Sequence, residues 1–188
     1  MANLLDQLQR DHVNLNRLLR LLEAEGERIR AGGDEDLALM ADIIEYMESY
    51  PDVAHHPLED ALVEHYLAHH APDAEVAARF RDTMAEHAAL RAATHALRAS
   101  IESLLNDVLM PREDLLRQLD DYIALQRRHL QREERELFPR LRAAFGEADW
   151  RAVAARHPAR ADPLFSERLD DQFRGLLERI LASEGDAR

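Results

Sequence analysis

The 188-residue sequence contains no cysteine. That excludes disulfides, thiolate nucleophiles, iron–sulfur ligation and cysteine-based zinc sites, and it fits a reducing compartment. Glycine and proline are scarce, at 6 and 7 residues, while Ala, Leu, Glu and Arg abound, a balance that favours helix throughout. Basic residues are in deficit: 24 Lys+Arg face 37 Asp+Glu, a formal net charge of −13. Such a surface repels phosphate backbones and anionic membranes, which argues against nucleic-acid and lipid-surface partners. No stretch approaches the roughly 20 apolar residues of a membrane span. Residues 1–20 read as amphipathic helix, with Asp6, Arg10 and Asp11 where a signal peptide needs an apolar run. The expectation is a cytoplasmic helical protein of one domain, or one domain with an appendage.

Apolar residues recur at spacings of three and four, the mark of amphipathic helices. Leu4, Leu8, His12, Leu15, Leu19 and Leu22 form a first stripe that ends before Gly32-Gly33. A second helix opens after Asp34 with Leu37, Met40, Ile44 and Met47 inward. Pro51 interrupts it, and it resumes with His55, Glu59, Leu62 and Tyr66 as far as Ala71-Pro72. A third runs from about Asp73 to Leu109, with Phe80, Met84, His87, Leu90, Thr94 and Leu97 on its stripe. After Met110-Pro111, with Pro111 expected in the first turn, a fourth carries Leu115, Leu119, Tyr122, Gln126, His129, Glu133 and Leu137 as far as Phe145-Gly146. Short breaks between long helices imply an all-α, antiparallel four-helix bundle over residues 1–146. Residues 147–188 read as a C-terminal helical extension, with Trp150 and Asp162-Pro-Leu-Phe165 packing onto the bundle and a last helix over about Ser166–Leu181.

Polar residues fall where a core is expected. Each bundle helix places a histidine on its apolar stripe, and two of these are followed by glutamate at i+4, His55/Glu59 and His129/Glu133. Residues four apart share a helix face, so each pair aims an imidazole and a carboxylate at one region. A single histidine on such a stripe, His12 or His87, is more often an ordinary core residue, and either pair alone could be a surface ion pair. All six on core stripes, with no Lys or Arg on those stripes, call for a cation, because a buried carboxylate is costly unless paired or metal-bound. Imidazole with carboxylate suits iron, zinc, copper or manganese, and the absence of thiolate argues against structural zinc. Four His and two Glu exceed one tetrahedral ion and suit two ions bridged by the carboxylates.

His56 with Asp60 offers the same spacing one position round; the continuation of the Met47 stripe favours His55/Glu59 and leaves His56 behind the ligands or on the surface. Tyr122 reads as a plain core tyrosine. His65, His69, His70, His95 and His157 fall off the stripes and are expected in solvent, and Glu134 and Glu136 on a solvated face. Ferritin-like bundles need Glu-x-x-His pairs, and no glutamate here has a histidine at i+3.

The segments His55-His56-Pro-Leu-Glu59-Asp60 and His129-Leu-Gln-Arg-Glu133-Glu134-Arg-Glu-Leu-Phe-Pro resemble the two signatures of the hemerythrin-like, or HHE cation-binding, family, with Asp11-His12 and Glu86-His87 at its other ligand positions. The resemblance covers about residues 3–144. It implies an oxo- or hydroxo-bridged pair of iron ions in a four-helix bundle, held by His12, His55, Glu59, His87, His129 and Glu133. Oxygen-carrying hemerythrins have a second histidine four residues after the third-helix ligand, where this chain has Arg91, and a spacing of five before the last carboxylate, where it has four. The sequence is more similar to the bacterial and F-box-associated branches. The resemblance implies a protein binding or sensing O2, NO or iron. The alternative is an enzyme reducing NO or disproportionating peroxide at the same centre.

Overall fold

A computed structural model describes residues 4–158, 160–166 and 169–186. Residues 1–3 of the expected first helix, and Glu167 and Arg168 of the expected last one, lie outside the described residues. Among the described residues the structure is all helical: α1 (Leu4–Arg30), α2 (Leu37–Ser49), α3 (His56–His69), α4 (Ala74–Leu105), α5 (Arg112–Arg132), α6 (Phe138–Ala144), α7 (Glu147–Arg156) and α8 (Arg174–Asp186). α2 and α3 are joined by a π turn, Pro51–His55, and α5 and α6 by another, Glu133–Leu137. Each joined pair is one rod, so the four rods of the bundle are α1, α2–α3, α4 and α5–α6. α1 packs on α5, α4 on α2, α3 and α5, and the later helices α7 and α8 lie outside, on α3 and on α1 and α2. No helix is long and apolar enough to cross a membrane.

Pro51 interrupts the α-helix as expected, and it does so by opening the π turn. Both π turns stand immediately before a proline with the same geometry. His56 N–H reaches back to the Pro51 carbonyl and Phe138 N–H to the Glu133 carbonyl, and Pro57 and Pro139 follow at once. A proline in an α-helix lacks an N–H and clashes with the carbonyl four residues back. Widening the preceding turn by one residue relieves both problems without breaking the rod.

Elsewhere the ends are set by side chains. Asp36 accepts from Leu39 N–H and Asp73 from Val76 N–H, which caps α2 and α4. Pro111 sits at the cap of α5 rather than inside its first turn. α4 stops at Leu105, short of the expected Leu109, because Asp107 takes a left-handed conformation at φ 60°. The last helix begins later than Ser166: a 3-10 turn, Asp171–Phe173, capped by Asp170, leads into α8. Between α3 and α4, Ala71 is left-handed at φ 42°, a conformation that costs an L-residue roughly 1–2 kcal/mol. Ala71→Gly is therefore expected to raise unfolding free energy by about 0.5–1 kcal/mol after the entropy glycine adds to the unfolded chain, read from the midpoint of denaturant unfolding.

The apolar interior is split in two. One core gathers Leu15, Leu19 and Leu22 of α1, Met40, Ile43 and Tyr46 of α2, Leu97 and Ile101 of α4, and Leu115, Leu119 and Tyr122 of α5. The other gathers Leu4, Leu5 and Leu8, Leu58, Leu62 and Tyr66, Val76 and Phe80, and Leu137, Phe138 and Leu141. The extension seals both, Val153 against the second core and Leu164, Phe173, Leu176 and Ile180 against the first. All four rods pass from one core to the other, and the layer between the cores is where their polar residues lie.

Candidate metal centre

His12 follows Leu8 and precedes Leu15, so α1 leaves one core and enters the other at this residue. His55 ends one π turn and Glu133 begins the other. His12, His55, Glu59, His87, His129 and Glu133 are each at most 2 % exposed and meet at the middle of the bundle. Glu59 Oε1 lies 3.4 Å from His12 Nε2 and 3.3 Å from His55 Nε2, and its Oε2 lies 3.6 Å from His87 Nε2. Glu133 Oε2 lies 3.4 Å from His12 Nε2 and 3.2 Å from His129 Nε2, and its Oε1 3.6 Å from His87 Nε2. Both carboxylates thus span the space between two groups of imidazoles.

A seventh residue joins them. His56 is buried, stacked on His87 with ring centroids 4.4 Å apart, and edge-on to His129 at 5.8 Å. Donor atoms within 4.8 Å of one another fall into two groups that share Glu59: His12, His55 and Glu59, and His56, Glu59, His87 and His129. Sequence reasoning placed His56 behind the ligands or at the surface because it extended the Met47 stripe at α-helical pitch. The π turn adds a residue there, so the inward arc takes in both His55 and His56. The signal that points to it is Pro57, which demands the wider turn.

Every one of the five imidazoles is held from behind by a carboxylate on its Nδ1. His12 donates to Glu134 at 3.1 Å, His55 to Asp11 at 3.1 Å, His56 to Asp52 at 3.1 Å, His87 to Asp60 at 2.8 Å and His129 to Glu86 at 3.1 Å. A proton fixed on Nδ1 leaves Nε2 as the bare nitrogen of the ring. Glu134, expected on a solvated face, is in fact only part exposed and turned onto His12. Sequence reading missed this set, although its signal is plain: an acidic residue sits directly beside a centre residue in Asp11-His12, Glu59-Asp60, Glu86-His87 and Glu133-Glu134. Adjacent helical residues point about 100° apart, so the neighbour of an inward residue faces the next helix.

Burial and crowding set the electrostatics of the cluster. Burial, with Glu133 nearby, pushes the Glu59 carboxyl up to about 8. Burial would do the same to Glu133, but His129, His12 and His87 outweigh it and hold it well below the usual carboxylate range. Burial opposes a charge on His87, yet Asp60 and Glu133 carry it up to about 10. His12 is raised for the same reason, by Glu133, Glu134 and Glu59. Burial lowers His55, His129 and His56, the last to about 3. Asp11 is pushed up to about 7 by burial, against the pull of the Tyr50 hydroxyl that donates to it.

The polar atoms themselves test whether a metal fits. Nε2 of His12, His55, His87 and His129, and both oxygens of Glu59 and Glu133, are buried without any hydrogen bond. Unpaired polar atoms in such number are costly, and native interiors rarely carry them unless something binds there. Once His12 and His87 release the second proton that the neighbouring carboxylates favour, all are lone-pair donors converging on one region, the arrangement a cation satisfies.

The other histidines divide. His69, His95 and His157 are exposed as expected. His65 is buried and His70 half-buried, which corrects the expectation that both lie in solvent, because α7 of the extension covers the end of α3. Tyr122 is a core tyrosine whose hydroxyl accepts from Gln126 at 3.1 Å. Asp162 accepts from Tyr46 OH at 3.0 Å and Trp150 packs against Phe145, so both tie the tail to the bundle.

Comparison with curated proteins and with solved structures gave no match. A profile of the Hemerythrin HHE cation binding domain matches residues 3–141, which takes in all four rods and every histidine and carboxylate of the buried cluster. By that match and by its fold, the chain belongs to the hemerythrin HHE cation-binding family.

Proposed function

We propose that this protein holds two iron ions between its cores and binds a small ligand such as O2, NO or peroxide there, as a binding or sensing protein. One observation carries the reading: five imidazoles, each oriented by a carboxylate on Nδ1, surround two carboxylates whose four oxygens have no hydrogen-bond partner. His12 and His55 would hold one ion and His56, His87 and His129 the other, with Glu59 and Glu133 spanning the two. Imidazole with carboxylate suits several metals, and the resemblance to hemerythrins directs the choice to iron.

A ferrous pair supplies electrons to a small oxidant that binds it. The chain's part is to shape that encounter. The half with His12 and His55 has one imidazole fewer, which leaves more room for an exogenous ligand. A cavity of about 220 Å³ lies beside it, lined by Asp11, His55, Pro57 and Leu58 of the bundle and by Arg156 and Arg160 of the extension. The carboxylates behind the rings keep Nδ1 protonated, so that Nε2 stays basic toward a metal.

Metal analysis with optical spectra, before and after O2 and NO exposure, tests this. Near two irons per chain are expected, with near-ultraviolet charge-transfer absorption that changes reversibly with ligand. His129→Ala should lose at least one iron. Unchanged iron in that variant would sink the assignment, and steady consumption of NO or peroxide would replace the binding role with an enzymatic one.

A further inference from the structure

A second group of side chains of metal-ligand type lies outside the bundle centre, where the end of α3 meets α7. α3 unwinds at its last turn: His70 caps it with φ −111° and ψ 0°, and left-handed Ala71 follows. Residues five apart on a regular helix point in different directions, yet here the rings of His65 and His70 lie 6.4 Å apart on one side. Stacking on Tyr66 and Phe145 fixes the His70 ring, at centroid distances of 5.5 and 5.3 Å.

Asp149, in the first turn of α7, faces both imidazoles. Its Oδ2 accepts the Gly146 N–H at 2.9 Å and so is spent as a helix cap. Its Oδ1 lies 2.9 Å from His65 Nε2 and 3.4 Å from His70 Nε2, and the three donor atoms are within 4.8 Å of one another. His70 Nε2 is sheltered from solvent and has no hydrogen bond. A hydrogen-bonded clamp accounts for His65 and Asp149 but leaves that nitrogen unexplained. The side chains of His70 and Asp149 are 22 % and 23 % exposed, so an ion can reach them and water can complete its coordination.

We propose that His65, His70 and Asp149 form a mononuclear site for a divalent cation of the zinc, cobalt or nickel class. Two imidazoles, one carboxylate and water suit these ions. Three donors within 4.8 Å of one another can share a single ion at the 2.0–2.2 Å such metals require. The site joins α3, inside the family-matched residues 3–141, to α7, outside them. Metal binding would therefore staple the extension to the bundle. It stands independently of the iron reading, since it shares no residue with the centre.

One neighbour opposes the ion. Arg156 Nη2 approaches His65 Nδ1 to 3.3 Å, adding a like charge and favouring the tautomer with the proton on Nε2, the nitrogen a metal needs bare. Arg156 is exposed and must swing away on binding.

Cobalt(II) titration of the full chain as purified, with iron and cobalt counted in the same sample, tests the proposal. Wild type is expected to take up a single cobalt more than Asp149→Asn or His70→Gln, with iron identical in all three. Visible d–d absorption should track that extra ion. Arg156→Gln should bind it several-fold more tightly, whereas a mere clamp would gain nothing from losing its hydrogen bond. Equal cobalt uptake in wild type and both variants overturns the site, as does weaker binding by Arg156→Gln. Iron content is read separately, so a chain without iron would defeat the proposed function and leave the cobalt difference intact.

Discussion

On the two-ion reading proposed above, Glu59→Gln is expected to cost the protein its metal and yet make the metal-free chain more stable, by about 2 kcal/mol. Glu59 is the residue both donor groups share, one oxygen toward His12 and His55 and the other toward His87. An amide keeps the volume but loses the charge and one acceptor, so metal content should fall from near two ions per chain to one or none. In the stripped chain the same carboxyl is a liability. It is buried, faces a second carboxylate, and has no hydrogen bond on either oxygen. With Glu59 raised from 4.5 to about 8, folding the stripped chain at neutral pH must put a proton on it, at about 1.4 kcal/mol per pH unit. A neutral amide escapes that cost, which outweighs the loss of its attraction to His12 and His87. Denaturant unfolding of stripped wild type and stripped variant, beside metal analysis of both as purified, checks the two halves. A variant that keeps both ions, or one that is less stable when stripped, contradicts the argument.

The second large effect is a divergence with pH. The stripped chain should lose stability between pH 6.5 and 8, while the loaded chain holds or gains. Stability falls with rising pH wherever the folded state binds more protons than the unfolded. Glu59, raised to about 8, does so throughout this window, and so do His12, raised, and His87, raised to about 10. Asp11, raised to about 7, adds to the lower part. His55, His56 and His129 are lowered and act in the other direction, but this fades within about a unit above their unfolded value of 6.5, as the unfolded chain gives up their protons. Glu133, lowered, changes nothing above 4.5. In the upper half of the window the active groups therefore pull the same way, and in the lower half the raised groups outweigh the fading histidines. One proton is worth about 1.4 kcal/mol per pH unit, so the three protons of Glu59, His12 and His87, with part of Asp11's, come to roughly 4–6 kcal/mol lost across the window. Metal affinity moves oppositely, since ligands must be deprotonated to bind. Unfolding curves of both forms at pH 6.5 and 8.0 would run parallel if the cluster were merely a polar patch.

The rods were legible because their periodicity is a local property. The stripes through Leu15, Leu97 and Leu119 enter one core, and those through Leu8, Phe80 and Leu137 enter the other. His12, His55, Glu59, His87, His129 and Glu133 were found by the same logic, as polar residues at apolar positions, and the structure brings all six together. His56 escaped because stripe counting assumes a constant pitch, which the π turn before Pro57 breaks. Glu134 and His65 escaped for a different reason. Their partners, His12 and Asp149, lie 122 and 84 residues away in the chain, and no single-helix pattern reports on that distance.

The carboxylates behind the imidazoles carry a mechanical consequence. Asp11 of α1 holds His55 of the second rod, Asp60 of that rod holds His87 of α4, Glu86 of α4 holds His129 of the fourth rod, and Glu134 of that rod returns to His12 of α1. The chain of custody is a closed loop in which no rod orients its own first histidine. Turning α4 about its axis would misaim His129 through Glu86, while His87 would be strained against a neighbour that had not moved. Each rod is thus indexed by the one before it, like gears meshed in a ring. The rotational setting of the whole bundle belongs to all four rods at once. A helix transplanted with its ligands but without its acidic neighbour would disable a histidine it does not contain.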